Sequence, residues 1–187
     1  NKAKEIFYLL QKKGSFYNWY ASKRIASILI KQEKKKEAIN FLEETFLNIK
    51  HPTTYEIYDY AVFLKNNEKY EESIKYYSKV INVIDKTNDL YGQVFDGRGV
   101  AYERSEQWHE AEKDLLNSLR ISPNNAYVIN YLAYSWIEKG MNIEKSLIML
   151  KKANTLQPND GYIIDSLGWA LFKLKNYTEA KKYLQQA

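Results

Sequence analysis

The sequence predicts an all-α protein built from repeated pairs of helices. Its 187 residues include only seven Gly and three Pro, which leaves little material for turns and favours long helices over many short strands. Small and large apolar residues recur in the same order about every 35 residues, which indicates an internal repeat. A polar stretch divides each repeat into two apolar segments, so we expect two antiparallel helices per repeat.

The periodicity divides the chain into five repeats and a partial one. The predicted repeats are residues 19–53, 54–91, 92–125, 126–160 and 161–187, with starts spaced by 35, 38, 34 and 35 residues. Residues 1–18 are expected to hold the second helix of a partial repeat. We expect a single array over residues 1–187. Since no polar capping helix closes it, the array is expected to be a fragment of a longer one.

Each predicted helix carries one small residue where it would cross its partner. Small side chains let two helix backbones approach closely, while large apolar neighbours fill the surrounding grooves. In the first helices these residues are Ala26, Ala61, Gly99, Ala133 and Gly168. In the second helices they are Ala38, Ser73, Ala111, Ser146 and Ala180. Pro123 and Pro158 end two of the second helices, because proline cannot continue a helix.

This pattern resembles the tetratricopeptide repeat family. The third to fifth repeats show the characteristic residue order of this family: an aromatic residue, a small residue near a Tyr or Leu, and then Ala and Leu. Two of these repeats end with Pro. Residues 126–184 are similar to the C-terminal repeats of long tetratricopeptide proteins from proteobacteria, many of which look like envelope proteins. The resemblance implies a right-handed superhelical solenoid. It suggests the cell envelope or periplasm as the compartment, with the cytoplasm as the alternative.

The resemblance also implies which side chains meet a ligand. In the family, positions 2, 5, 9 and 12 of each repeat line a concave groove, and Tyr there offers contact area and a hydroxyl at low entropic cost. We therefore expect a non-catalytic scaffold that binds a peptide or partner protein in a Tyr-rich groove. The residues expected to bind are Tyr20, Tyr55, Tyr58, Asp96, Tyr127, Asn130, Tyr134, Tyr162, Asp165, Trp169 and Phe172. The tyrosines expected to pack inside are Tyr60, Tyr70, Tyr77, Tyr102, Tyr177 and Tyr183.

Composition and motifs argue against several other classes of function. The chain has no Cys and only two His, and it shows no catalytic or phosphate-binding motif. We therefore expect no enzyme activity, no metal site and no cofactor. The net charge of +5 comes from residues 1–53, and Lys outnumbers Arg there, so we expect no nucleic-acid partner. No apolar run is long enough for a membrane span.

One known ligand mode of the family can be tested by residue identity. Co-chaperone repeats hold a C-terminal carboxylate with Lys and Asn side chains from three successive repeats. Only Lys23 matches among the five corresponding positions of the first three repeats, and the later repeats place Asp96 and other unsuitable residues there. Because an acidic side chain repels a carboxylate, we expect no clamp of this kind.

Two alternative functions stay open at this point. The array is alternatively an adaptor or targeting arm of an enzyme or protease complex in the bacterial envelope. It is alternatively a self-association module that acts through uncapped repeat ends or through the aromatic groove.

Overall fold

The structure consists of α-helices joined by short turns. The computed structural model describes residues 15–187 and, ahead of them, Glu5 and Leu9. Within residues 15–187 it contains ten helices and no strand, which confirms the all-α prediction. The helices are α1 (Ser15–Lys31), α2 (Lys35–Leu47), α3 (Thr54–Asn66), α4 (Tyr70–Val83), α5 (Tyr91–Arg104), α6 (Trp108–Ile121), α7 (Ala126–Glu138), α8 (Ile143–Leu156), α9 (Gly161–Lys173) and α10 (Tyr177–Gln186).

The helices form consecutive pairs within two compact units. The N-terminal unit is Asn1–Val83 and contains the pairs α1–α2 and α3–α4. The C-terminal unit is Ile84–Ala187 and contains α5–α6, α7–α8 and α9–α10. In every pair the second helix makes its most extensive contacts with the first.

Helix α1 begins earlier than the predicted first repeat. It starts at Ser15, because neither Gly nor Pro separates that residue from Trp19, so residues 15–18 belong to this first helix. Apart from the helical residues Glu5 and Leu9, the rest of the partial repeat predicted over 1–18 lies outside the described residues.

The turn inside every pair has the same backbone geometry. Each contains one residue with φ between 62° and 68°: Glu33, Glu68, Glu106, Gly140 and Lys175; the turn at Gly140 has a second residue with positive φ, Asn142, at 48°. The residue that follows donates its N–H to the carbonyl five positions earlier, at 2.8 to 3.0 Å; Gln107 donates to Tyr102 in this way. These bonds are those of the Schellman motif, which satisfies carbonyls left open at a helix C-terminus. The short turn returns the chain so that the two helices of a pair lie antiparallel.

Side-chain caps fix the start of several first helices. The Thr53 hydroxyl accepts the Glu56 N–H at 3.2 Å, and the Glu56 carboxylate accepts the Thr53 N–H at 2.8 Å, which forms a capping box ahead of α3. Asn125 and Asp160 cap α7 and α9 with their side-chain oxygens. These polar residues stop the preceding segment and set the register of the next helix.

The helices of each pair approach closely at the predicted small residues. All ten of these residues are buried. A Cβ on Gly168 would lie 2.7 Å from Leu184 Cγ, and one on Gly99 would lie 3.0 Å from Leu115 Cγ. The distance at Gly168 is too short for a side-chain carbon, and the one at Gly99 is tighter than most such contacts, so both positions favour glycine for packing.

The two units fill their cores with different side chains. The N-terminal unit buries a ring cluster that includes Trp19, Phe46 and Tyr60. The C-terminal unit buries mainly aliphatic residues, with Leu132 and Leu167 at the centre of two clusters. In each unit, the side chains of the candidate binding surface lie on the first helix of each pair.

Candidate protein-binding surfaces

In the N-terminal unit, the exposed side of α1 and α3 forms a small polar and aromatic pocket. The Trp19 indole N–H donates to Asp59 Oδ2 at 3.2 Å, and Lys23 forms an ion pair with the same carboxylate. Tyr20 and Tyr55 are exposed beside this pair. The cavity has a volume of about 180 Å³ and is lined by Trp19, Tyr20, Lys23, Thr53, Tyr55, Glu56 and Asp59. Since Asp59 already neutralises Lys23, the pocket offers little uncompensated charge.

In the C-terminal unit, the largest aromatic group on the first helices is centred on Trp169. The Trp169 and Phe172 rings stack with centroids 5.3 Å apart and planes 9° apart. The Trp169 indole N–H donates to Glu138 Oε1 at 2.6 Å, which ties α9 to α7. The Lys173 Nζ lies 4.7 Å from the Trp169 ring centroid, a cation–π distance. Partners on two helices therefore hold this indole in place.

Tyr134 lies beside the same group, in an acidic environment. Its side chain is 38% exposed. Partial burial, followed by the charges of Glu138 and Asp165, raises the pKa of the Tyr134 hydroxyl. The two carboxylates therefore produce a negative potential at this hydroxyl, which favours its protonated form and would attract a cation.

A second acidic contact joins α5 to α7. The Tyr131 hydroxyl donates to Glu103 Oε2 at 2.8 Å. Burial, followed by this hydrogen bond, raises the pKa of Tyr131. A cavity of about 120 Å³ lies next to it and is lined by Glu103, Arg104, Tyr131, Tyr134, Ser135, Glu138 and Lys139. The contacts of Tyr131 with Glu103 and of Trp169 with Glu138 thus link the three first helices of the C-terminal unit, and Arg104 and Lys139 lie beside these carboxylates.

Most of the predicted binding residues are accessible. The exposed ones are Tyr20, Tyr55, Tyr127, Tyr134, Tyr162, Asp165 and Phe172. The partly buried ones are Tyr58, Asp96, Asn130 and Trp169. Exposure is greatest at Tyr162, at 83%, and at Tyr127, at 61%. Their role in binding stays a prediction.

Two predictions about which side chains face the groove and which face the core were wrong. Ile137 is position 12 of its repeat and by the family rule should line the groove, but it is 1% exposed and packs in the core with Leu150 and Leu167. Tyr177 was expected to pack inside, but it is 58% exposed, and its ring lies tilted by 60° against Phe172 with centroids 5.5 Å apart. Ile137 is buried because its helix, α7, is apolar on several sides. Tyr177 is exposed because its helix, α10, buries one of its own residues.

Sequence reasoning missed the acidic residues that hold the aromatic ones. Glu103 was placed on the ligand side but not singled out, and Glu138 lies one position beyond the predicted set. The signal that could identify Glu138 is its spacing of 31 residues from Trp169, which sets the two side by side on adjacent first helices.

Metal binding and membrane insertion find no support within the described residues. In that part of the chain, no three His, Asp or Glu side chains lie close enough together to hold a metal ion. None of its helices combines the length and apolarity needed to cross a bilayer.

The paired helices, common turn and small crossing residues define an all-α protein of the helical-repeat solenoid class. The sequence pattern of the tetratricopeptide repeat matches residues 57–86 and 163–187, one segment in each unit. The tetratricopeptide repeat pattern predicted from the sequence is therefore confirmed in these two segments.

A relative and several solved structures share this architecture. A tetratricopeptide repeat-containing protein from Pseudomonas aeruginosa is 28% identical over 134 residues, which cover 68% of this chain. The match spans only 21% of the relative's length.

Solved structures agree in fold at low identity. BtubC from P. vanneervenii is 11% identical with a TM-score of 0.76, covering 99% of this chain and 85% of that one. PilW, a type IV pilus biogenesis factor, is 20% identical with a TM-score of 0.74, covering 94% and 77%. MamA from Desulfovibrio magneticus RS-1 is 17% identical with a TM-score of 0.67, covering 90% and 92%. At these identities the likeness concerns the fold. That fold is a scaffold for protein–protein interaction.

Proposed function

We propose that the chain binds a peptide segment of a partner protein on the first helices of its C-terminal unit. We call this surface the acidic aromatic face and define it by Glu103, Tyr127, Tyr131, Tyr134, Glu138, Tyr162, Asp165, Trp169 and Phe172. The observation that carries the proposal is the fixed and accessible aromatic group around Trp169. Its indole is held by Glu138 and stacked on Phe172, yet both rings keep accessible surface.

Such an arrangement suits binding because its rings are already ordered. Large aromatic side chains dominate the energy of protein interfaces, and rings that are held in place before binding lose little entropy when a ligand arrives. Tyr127 and Tyr162 are 61% and 83% exposed, so their rings bury little area in the fold and leave it for a ligand. The neighbouring carboxylates and hydroxyls can pair with the backbone N–H groups of an extended peptide.

The proposal can be tested with peptides selected for binding to the intact chain. A phage-displayed library of random peptides supplies the ligands, and fluorescence anisotropy on synthetic copies measures their affinity. We expect the double variant Tyr134→Ala, Trp169→Ala to weaken binding at least about tenfold, the size of effect typical of aromatic anchors.

A matched control removes apolar surface from another side of the same unit. Ile148 is 70% exposed on the second helix α8, so Ile148→Ala should leave affinity unchanged. Far-ultraviolet circular dichroism and chemical unfolding would verify that every variant is folded. Selected peptides whose affinity is the same for the double variant and the parent chain would refute the proposal.

The two alternatives stay predictions. A role as the targeting arm of an enzyme or protease complex, in the bacterial envelope or elsewhere, would show as a hydrolase or other enzyme that co-purifies with the full-length protein. Self-association would show as a sedimentation coefficient that rises with concentration.

A further inference from the structure

The two units differ in the charge of the side chains at the repeat positions that are expected to face a ligand. In the N-terminal unit, positions 2, 5, 9 and 12 of both repeats carry two basic side chains, Lys23 and Lys65, and no acidic one. In the three repeats of the C-terminal unit the same positions carry three acidic side chains, Asp96, Glu103 and Asp165, and no basic one. The net charge of the chain, +5, hides this reversal.

From this reversal we propose that the acidic aromatic face takes a basic peptide segment, with one Lys or Arg side chain held against Tyr134 by Glu138 and Asp165. The inference deepens the proposed function and rests on it. The occupant is a partner whose segment carries basic and apolar side chains, because the face combines carboxylates with aromatic rings.

The geometry around Tyr134 suits a cation. Tyr134 and Glu138 line the same cavity, and the charges of Glu138 and Asp165 both act on the Tyr134 hydroxyl. Among the described residues, no ion pair involves either of them. A Lys or Arg placed here would gain two carboxylate partners and the face of a ring, which together favour a cation over a neutral side chain.

The face already holds a cation of its own. The Lys173 ammonium rests against the Trp169 ring rather than in an ion pair, and Trp169 in turn donates to Glu138. Because the indole N–H fixes one oxygen of Glu138, that carboxylate is oriented before a ligand arrives. Trp169 is therefore a positioning residue for the cation subsite as well as a contact surface.

Three synthetic probes of equal length test the charge preference. Each is a fluorescein-labelled nonapeptide in which Leu alternates with Lys, Gln or Glu. We expect the lysine probe to bind roughly tenfold more tightly than the glutamine probe, and the glutamate probe to bind more weakly than either, because of repulsion. The preference for lysine should shrink as salt rises, since ions screen exposed charges.

Charge-removing variants then locate the subsite. Asp165→Asn and Glu138→Gln should each weaken the lysine probe roughly threefold, the effect of one partly exposed ion pair, and leave the glutamine probe unchanged. Glu144→Gln makes the same change of charge on α8, a second helix, and should have no effect. Glu144 lies in the first turn of that helix and is exposed.

The outcomes separate this inference from the proposed function. If all probes bind equally and the Tyr134→Ala, Trp169→Ala variant loses them all, the face binds peptides but has no cation subsite, and the inference is wrong. If no variant affects any probe, both are wrong. Self-association that the Tyr134→Ala, Trp169→Ala variant abolishes and that the lysine probe does not reverse would assign the face to a second copy of the chain and would also overturn the inference.

Discussion

The two units place their main aromatic clusters differently. In the N-terminal unit Phe46 stacks on Tyr60 with ring centroids 3.9 Å apart, and Trp19 meets Phe46 edge-on at 5.5 Å. All three are almost completely buried. In the C-terminal unit Tyr134 and Phe172 keep more than a third of their surface exposed.

The contrast shows that one repeat pattern can serve two purposes. A ring at a packing position stabilises the unit through the area it buries, whereas a ring at a ligand-facing position leaves that area for a partner. The 17 tyrosines of the chain are therefore not one population. Tyr77 is fully buried, whereas Tyr162 lies almost entirely in solvent.

The strongest test of this contrast compares one phenylalanine from each unit. We expect Phe46→Ala to lower the free energy of unfolding by about 3–5 kcal/mol, the usual cost of removing a buried ring. Phe172→Ala should cost less than about 1 kcal/mol because much of its ring is already in water. Urea unfolding measures both changes, and hydrogen exchange assigns each to a unit. Similar losses for the two variants would contradict the contrast.

Ion pairs provide a second comparison, with a smaller effect. Arg98 Nε and Nη2 donate to both carboxylate oxygens of Asp114 at 2.6 and 2.9 Å, and the Asp114 side chain is only 3% exposed. In the N-terminal unit the ion pair between Lys69 and Glu43 is considerably more exposed. We expect Asp114→Ala to cost about 3 kcal/mol, since it strands a largely buried guanidinium.

The matched variant in the N-terminal unit is Glu43→Ala, for which the expected cost is below about 1 kcal/mol. Urea unfolding again measures both. Equal costs would mean that burial does not distinguish the two pairs.

The smallest expected effect concerns a feature that both units share. Glu68 and Glu106 occupy the left-handed position of equivalent turns, with φ of 66° and 64°. Glycine adopts this conformation without steric cost, so Glu68→Gly and Glu106→Gly should each stabilise the protein by about 0.5–1 kcal/mol. Thermal unfolding should show a gain of the same sign in both units. A loss in either would contradict the common turn.

The sequence predicted the fold because the repeat signals are local. Small residues at a fixed spacing, such as Ala61 and Ala133, determine where helices cross, and all ten such positions are buried. The left-handed turn was not predicted, since four of the five turns use Glu or Lys instead of Gly. The Schellman hydrogen bonds offset the cost of that conformation in ways that residue type does not reveal.

The site was harder to predict because it depends on contacts between repeats. The periodicity alone does not place Glu138 against Trp169, since that contact depends on how α7 and α9 pack. Likewise, Ile137 was assigned to the ligand side by its repeat position, yet it packs inward in a helix that buries eight residues. The pairing of Arg98 with Asp114 also escaped the sequence, because the two lie on different helices.

The most direct test of the account measures binding and stability on the same variant. The central claim is that the acidic aromatic face serves a ligand rather than the fold. For Tyr134→Ala, Trp169→Ala we predict that the dissociation constant of a selected peptide rises at least about tenfold. The free energy of unfolding should fall by less than the value of about 3–5 kcal/mol expected for Phe46→Ala, because Trp169 is only partly buried against the core and Tyr134 is exposed. An unchanged dissociation constant, or a loss of stability as large as that of Phe46→Ala, would contradict the account.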